Sequence, residues 1–256
     1  MDLRYNKTMN FLEGKKALVV GGSGGIGSAL SVLLAEQGAR LVVHGGHESQ
    51  KFSALMEKIC ALSPESTAFV QPLEAKDFSA LDSSELARQA GDCDVLCVCH
   101  GPFVQKPLEQ TGLEDWQRLA LFDYALPGYL VSLALPRMCE RQWGRILLFG
   151  GTGTDRRTVY RTNIAYAGAK SALNVLVHSV AANYASSGVT CNAILPGFTQ
   201  TEYAPQSAAP GKSAPPGSML LPEEVASAAI GLLKDSNMNG VLLPVDRGWS
   251  PMGSAF

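Results

Sequence analysis

Residues 16–27 read KALVVGGSGGIG, an apolar, β-branched run followed directly by a glycine-rich turn. Beyond the turn, apolar residues recur at helical spacing as far as Gly38, and a second apolar run follows at 40–44. This order predicts a strand, a helix and a second strand, the βαβ unit whose right-handed crossover joins two parallel strands. The opening of the chain therefore favours a parallel sheet.

The rest of the chain continues the alternation of strands and helices. We expect further strands near 67–71, 94–99, 145–149, 190–195 and 241–245, and helices near 50–62, 79–90, 113–141, 165–185 and after Pro222. Parallel strands are buried on both faces, so helices must cover both. The pattern predicts an α/β fold: one domain over 1–256, built on a doubly wound sheet of about seven parallel strands with helices on both faces.

The segment 205–222 contains five prolines and many small residues, a composition that opposes regular structure. We interpret it as a loop that closes over a substrate site. A linker is the alternative, but too little chain follows it to form a second domain.

Composition narrows the range of functions. The 21 basic and 23 acidic residues are well mixed and leave a net charge of -2, which favours neither nucleic acid nor an anionic membrane as a partner. No run approaches the roughly 20 apolar residues that cross a bilayer, and the N-terminus has no apolar signal core. Six cysteines lack the spacing of a disulfide framework. We expect a cytoplasmic protein with a small-molecule substrate.

A metal site is the alternative use of the closely spaced group Cys93, Cys97, Cys99 and His100, but most of the group lies in a strand-like apolar run, where Cys97 and Cys99 alternate. Residues that alternate along a strand share one face, where small side chains pack well, so we expect packing and no metal.

The glycine turn predicts a site for the pyrophosphate of a dinucleotide. Gly21 allows the tight turn, and Gly27 lets the helix pack close to the strand. The helix N-terminus offers free N–H groups and the positive end of its dipole to an anion. A flexible turn without a ligand is the alternative. The predicted contacts are Gly21, Ser23, Gly24, Gly25, Ile26 and Gly27.

The end of the second strand, His44-Gly45-Gly46-His47, has no carboxylate. A carboxylate at this point binds the adenosine ribose of NAD and repels the 2′-phosphate of NADP. We therefore expect NADP(H) to be favoured over NAD(H), with contacts from all four residues. The alternative is that His44 and His47 are only exposed loop residues, since no arginine is present to bind a phosphate.

Tyr166 and Lys170 are four residues apart at the start of a predicted helix, so they share one face. A phenol with its usual pKa of about 10 exchanges protons poorly at neutral pH, and a nearby ammonium lowers that pKa. The pair predicts acid/base chemistry at Tyr166 during hydride transfer. An ordinary amphipathic helix face has the same spacing.

In this order, the glycine turn, the strand ending at Gly101, the Tyr166/Lys170 pair and Pro196-Gly197 resemble a short-chain dehydrogenase/reductase of the single-domain type. The similarity runs over about 12–249 and includes members of the 3-oxoacyl-ACP reductase type. It implies a Rossmann-type fold, a ketone or secondary alcohol as substrate, with 3-oxoacyl thioesters among the candidates, and a homo-tetramer or homo-dimer built on the two long helices. It also implies cofactor contacts at His100, Gly101, Tyr166, Lys170, Pro196, Gly197 and Thr199.

Two catalytic positions depart from the family pattern. The serine that orients substrate falls on Gly151, and the helix asparagine falls on Asp123. Thr152 or Thr154 can supply the missing hydroxyl, and we favour Thr152. Asp123 can hold a water in a relay to Lys170 or stabilise its ammonium, whereas an exposed helix residue is the alternative. The predicted catalytic residues are Tyr166, Lys170, Thr152 and Asp123.

These departures leave a second function open, a nucleotide-binding protein of weak or no activity that serves as a sensor or assembly subunit.

Three arginines, Arg156, Arg157 and Arg161, lie between Gly151 and Tyr166. They can steer an anionic substrate such as a carrier- or CoA-linked acyl group, and a solvated loop is the alternative.

Overall fold

The computed structural model of the chain describes residues 10–202 and 219–248. One parallel sheet runs through them in the order β3-β2-β1-β4-β5-β6-β7. Its strands are β1 (Lys16–Val20), β2 (Arg40–Gly45), β3 (Thr67–Val70), β4 (Val95–Val98), β5 (Gly144–Phe149), β6 (Val189–Pro196) and β7 (Leu242–Val245). The predicted sheet of about seven parallel strands is confirmed. The expected domain limits of 1–256 stay a prediction.

Helices cover both faces of this sheet. They are α1 (Gly25–Glu36), α2 (Gln50–Leu62), α3 (Glu85–Ala90), α4 (Leu113–Ala120), α5 (Leu126–Glu140), α6 (Ile164–Tyr184) and α7 (Pro222–Lys234). Alternation along β1 sends Leu18 and Val20 into one core, with α3, α5 and α6, and Ala17 and Val19 into the other, with α1, α2 and α7. Cys97 and Cys99 pack together into the second core, as predicted.

Two predicted helices differ in detail from the sequence pattern. The expected helix over 79–90 is a 3₁₀ helix over Ala75–Ser83 followed by α3. The side chain of Ser84 accepts a hydrogen bond from the N–H of Ala87, which starts α3 anew. The expected helix over 113–141 contains a π-helical segment, Leu121–Ala125, between α4 and α5. Pro127 explains it, because proline has no N–H to bond the carbonyl of Asp123 four residues earlier.

The continuous helical stretch Leu113–Glu140 is, among the described residues, the one segment long and apolar enough to cross a membrane. Asp115, Arg118 and Asp123 interrupt this stretch, so it contains no unbroken run of about 20 apolar residues, as expected from the sequence. Half of its most apolar window is buried in the protein. Leu126, Leu130 and Met138 are fully buried in the core against the sheet, as in the core helix of a globular domain.

The turns that follow β1, β4, β5 and β6 all lie at the carboxyl edge of the sheet. The strand order reverses between β1 and β4, and ligands of α/β sheets bind in the crevice at this switch point. The fold therefore brings the glycine turn and the start of α6 to one edge.

Most of the predicted lid over 205–222 lies outside the described residues. Its flanks are joined beside the end of β6, where Gln200 N–H donates to the Leu220 carbonyl at 2.8 Å and Leu220 N–H donates to the Phe198 carbonyl at 2.8 Å. The substrate-closing role stays a prediction.

Candidate active site

The glycine turn packs so closely that side chains would not fit. Gly21 has φ +73°, which suits glycine, and a Cβ at Gly27 would collide with the Gly21 carbonyl. A Cβ at Gly25 would lie 2.5 Å from Thr201 Cγ2, so the turn also contacts the segment after β6. The first turn of α1 holds no acidic residue, and its leading N–H groups have no intrahelical partners. The geometry from Gly21 through Ser23, Gly24, Gly25 and Ile26 to Gly27 fits a pyrophosphate.

His44 holds this turn from beneath. Its Nδ1 accepts a hydrogen bond from Gly21 N–H at 3.1 Å, so its Nε2 carries the proton and donates to the Gln71 carbonyl at 2.8 Å. The imidazole is buried, and burial lowers its pKa, so it is neutral at neutral pH. The interpretation of His44 as an exposed loop residue is wrong. Gly46 and His47 are exposed, as expected of the strand tip.

Tyr166 lies in the first turn of α6, half-buried, with its ring edge-to-face against Phe103 at 4.8 Å between centroids. Lys170 Nζ lies 5.9 Å from the centroid of the Tyr166 ring, so the two share a face as predicted. Burial, and then the charges of Asp123 and Tyr160, raise the pKa of Tyr166. The expectation that Lys170 lowers this pKa is wrong for this geometry.

Asp123 adds to the effect of burial, the largest cause of the raised pKa of Tyr166. Its side chain is fully buried in the π-helical segment, and Oδ1 lies 3.0 Å from Lys170 Nζ. Lys170 Nζ also donates to the Phe149 carbonyl at 2.8 Å. Burial raises the pKa of Asp123, and the Lys170 charge opposes that rise. The alternative of an exposed helix residue is wrong: Asp123 neutralises Lys170 inside the site.

Gly101 packs directly against this ion pair. A Cβ there would collide with Asp123 Oδ1 and lie 2.9 Å from Lys170 Nζ. Asp123 Oδ2 is buried and has no hydrogen-bond partner among the described residues. A buried polar atom without a partner is costly, and such atoms concentrate at functional sites.

The position of the family serine does face Tyr166. A Cβ at Gly151 would lie 3.2 Å from Tyr166 Oη and 3.1 Å from its Cε1. The two candidate hydroxyls point to other partners: Thr152 Oγ1 donates to Asp246 Oδ2 at 3.3 Å, and Thr154 Oγ1 donates to the Gly151 carbonyl at 2.8 Å. The role of Thr152 stays a prediction that requires its hydroxyl to leave Asp246.

The remaining predicted cofactor contacts lie at the same edge. His100 packs edge-to-face on Phe122, and burial, the largest cause, lowers its pKa to about 4. Thr199 is buried, and its Oγ1 donates to the Gly197 carbonyl at 3.1 Å. Gly197, which follows Pro196 at the end of β6, approaches the next strand so closely that its Cβ would be 2.9 Å from Asp246 Cα.

Sequence reasoning missed three side chains of this site. Phe103 contacts the ring of Tyr166, and Asp246 contacts Thr152 and lies 3.7 Å from Arg156. The hydroxyl of Tyr160 is buried, and it has no hydrogen-bond partner in the described part of the chain. Asp246 follows β7 in the segment 245–249, whose sequence resembles the C-terminal signature of the family. No pattern marks Tyr160, which lies in a loop.

Comparison with known proteins agrees with this geometry. The family model described as short chain dehydrogenase matches residues 15–210. D-beta-hydroxybutyrate dehydrogenase of Rhizobium meliloti is 27% identical over 261 residues, which cover 92% of this chain and 98% of that protein. The 3-oxoacyl-(acyl-carrier-protein) reductase FabG of Vibrio harveyi is 30% identical over 229 residues, covering 86% and 90%.

A solved structure of a reductase also matches this chain. A 3-oxoacyl (acyl-carrier-protein) reductase from Agrobacterium tumefaciens C58, solved with NADP bound, is 26% identical and covers 97% of this chain and 98% of its own. The TM-score is 0.81, so the fold is shared over nearly the whole length.

Proposed function

Because the chain belongs to the short-chain dehydrogenase family, whose members oxidise hydroxyl groups or reduce keto groups, we propose that it is an NADP(H)-dependent reductase of ketones. The observation that carries the proposal is the hydroxyl of Tyr166, protonated at neutral pH and placed beside the open position at Gly151. A ketone oxygen at that position would lie within hydrogen-bond reach of the phenol.

A nicotinamide cofactor, when bound, supplies the hydride to the carbonyl carbon or takes it back from the alcohol. Tyr166 gives its proton to the carbonyl oxygen as the hydride adds to the carbon, so the product is the secondary alcohol and the phenolate is reprotonated from water. Lys170 would bind ribose hydroxyls of the cofactor, and Thr152 would orient the carbonyl through its hydroxyl.

The cofactor preference is supported by the tip of β2. Gly46 and His47 are exposed, and no atom lies within 4 Å of a Cβ at Gly46, so a 2′-phosphate has room and meets no carboxylate there. The relative from Agrobacterium tumefaciens was solved with NADP. Tighter binding of NADPH than of NADH in calorimetry is the expected result, and equal or weaker binding of NADPH would refute the preference.

The substrate class we propose is a 3-oxoacyl thioester, as the name of the Vibrio harveyi relative indicates for that protein. Arg156 and Arg161 are exposed between Gly151 and Tyr166, where they can attract an anionic carrier or CoA group. The test is the rate of NADPH consumption with acetoacetyl-CoA, neutral ketones and sugar acids. The thioester should react fastest, and its advantage should fall with added salt.

A second function is favoured by one specific observation, the ion pair that neutralises Lys170 beside a site without the serine hydroxyl. A nucleotide sensor or assembly subunit would bind NADPH and turn over none of these ketones. The same binding and rate measurements therefore separate the two functions.

We also propose a cytoplasmic homo-dimer or homo-tetramer, in which the two long helices pack against their copies. Trp116, Tyr124 and Val175 leave apolar surface exposed on α4, the π-helical segment and α6. Such a patch marks an interaction surface more often than a solvated one.

A further inference from the structure

We propose that Asp123 is a positioning residue that keeps Tyr166 in its protonated form by binding Lys170 in a buried ion pair, which makes the protein a reductase at neutral pH and disfavours alcohol oxidation. The proposal rests on the proposed function, since it assigns a direction to the same site. The family resemblance implies an asparagine at this position, and an asparagine carries no charge with which to neutralise Lys170.

Asp123 and Lys170 form a buried ion pair. Asp123 Oδ1 lies 3.0 Å from Lys170 Nζ, the two side chains are 0% and 7% exposed, and the ammonium is also bound by the Phe149 carbonyl. Gly101 closes the pair from above, because a Cβ there would collide with Asp123. The ammonium is therefore held by partners other than Tyr166.

Asp123 changes the electrostatic environment of Tyr166. An ammonium near a phenol favours the phenolate, but a carboxylate beside that ammonium cancels most of its field at longer range. Lys170 Nζ is 3.0 Å from the Asp123 carboxylate and 5.9 Å from the centroid of the Tyr166 ring. Burial is the largest cause that favours the phenol form of Tyr166, and the Asp123 charge acts in the same direction.

Other titratable groups face this cluster. Cys99 and His100, at the end of β4, lie near Lys170, and burial keeps both neutral at neutral pH. The charge of Arg118, on α4, lowers the pKa of Asp123, which lies in the π-helical segment that follows α4. Tyr160 faces Tyr166 from the loop before α6. Tyr160 acts in the same direction as Asp123.

The chemical consequence concerns direction. Reduction needs a proton on Tyr166, whereas oxidation needs the phenolate to accept the proton of the alcohol. With Lys170 neutralised, the phenol form is present throughout the neutral range and the phenolate is scarce.

The test is the titration of Tyr166 in the cofactor-free protein, followed by NMR of ¹³Cζ-labelled tyrosine and assigned with Tyr166→Phe. Asp123→Asn should raise the ratio of phenolate to phenol at a fixed alkaline pH about tenfold or more. The matched control is Asp94→Asn. Asp94 is also a buried carboxylate paired with a cation, Arg141, but it lies at the start of β4, at the opposite edge of the sheet. An unchanged Tyr166 titration in Asp123→Asn would overturn the proposal.

A second set of variants guards against a folding defect. Asp123→Ser also removes the charge and should behave like Asp123→Asn. Adding Lys170→Met to Asp123→Asn should return the titration toward high pH, because the freed ammonium is the cause of the change. A titration that moves without regard to Lys170 contradicts the proposal.

Kinetics supply an independent measurement. In Asp123→Asn, the rise of the alcohol-oxidation rate with pH should begin at a pH about one unit lower than in the wild type, while ketone reduction at neutral pH changes less. Absence of any hydride transfer in the wild type would refute the proposed function and leave the tyrosine titration to decide this proposal.

Discussion

Gly101 is the residue on which the buried Asp123–Lys170 pair depends most directly. Gly101→Ala would drive a methyl group into both charged groups, so we expect a loss of about 3 kcal/mol in the free energy of unfolding. The measurement is urea denaturation. Gly231→Ala in α7 is the control, because nothing lies within 4 Å of a Cβ there and alanine favours a helix. Equal stability of the two variants would contradict the packing described.

Gly151 permits a gain-of-function test. A Cβ there lies 3.2 Å from Tyr166 Oη, so a serine needs only a small shift to add a second hydroxyl beside the phenol. We expect Gly151→Ser to raise kcat for ketone reduction about tenfold, since one added hydrogen bond to the developing charge contributes about 1–2 kcal/mol. Gly151→Ala adds the carbon without the hydroxyl and should bring no gain. A serine variant no faster than the alanine variant argues against this placement of the substrate.

Two histidines with a lowered pKa, His44 and His100, predict acid sensitivity of the fold. The pKa of His100 is lowered from 6.5 to about 4, chiefly by burial, and that of His44 is lowered too. The unfolded chain therefore binds these protons at higher pH than the folded protein, so stability is complete above about pH 6.5 and falls as the pH drops toward 4.

We expect His100 alone to account for about 2 kcal/mol of this loss, measured as urea denaturation at pH 7 and pH 4.5. His100→Asn should lessen the loss, and His178→Asn, which removes an exposed imidazole, should not. If the wild type, His100→Asn and His178→Asn lose the same free energy of unfolding between pH 7 and pH 4.5, the loss does not come from His100.

Single residues also show how far sequence reasoning reaches. The spacing of Tyr166 and Lys170 predicted their shared face, and counting along the family pattern led to Gly151 and Asp123. Stabilisation of the Lys170 ammonium by Asp123 was one of the roles expected from the sequence, and the two groups lie 3.0 Å apart. The burial of the pair was not predictable, because it depends on how α4, the π-helical segment and α6 pack together. Burial, the largest cause, and the Asp123 charge raise the pKa of Tyr166, which reverses the direction expected from the sequence.

At the scale of elements, the βαβ opening was predictable because the change from a β-branched run to helical periodicity is local. The π-helical segment was not predicted, although Pro127 is its visible signal: a proline at this point deprives one carbonyl of its usual donor. Propensity and periodicity average over several residues and do not register a single added residue in a turn.

The tip of β2 allows the cofactor preference to be reversed. Gly46 is exposed with nothing within 4 Å of its Cβ, so Gly46→Asp adds a carboxylate where a 2′-phosphate would bind. We expect the ratio of NADPH to NADH affinity to fall at least about tenfold in calorimetry. Gly112→Asp places the same charge at an exposed glycine before α4 and serves as the control. If the two variants bind both cofactors alike, the 2′-phosphate does not lie at this tip.

At the scale of the whole molecule, the exposed face of α6 is a candidate contact between copies of the chain. Val175 is 67% exposed on this helix, and a charge there would be buried unpaired in a helix-to-helix contact. We expect sedimentation to give a dimer or tetramer for the wild type and smaller species for Val175→Asp. Leu62→Asp, at the end of α2, should leave the assembly unchanged. A monomeric wild type would refute the proposed assembly.

The whole fold was predictable because seven strands and their helices alternate without interruption, and the family order of motifs is set along the chain. The sequence pattern does not predict which charged side chains come into contact where distant segments of the chain meet. Asp246, from the turn after β7, lies against the loop after β5, and nothing in either segment alone predicts that contact.

We propose that Tyr166 donates the proton while a hydride passes from NADPH to a ketone. The most direct measurement is single-turnover transfer of deuterium from C4-deuterated NADPH to the product alcohol, with wild type and Tyr166→Phe at saturating cofactor. We predict labelled alcohol from the wild type, a rate at least about 100-fold lower for the variant, and unchanged NADPH binding. Bound NADPH with no labelled product from the wild type, or equal rates for the two proteins, would contradict the account.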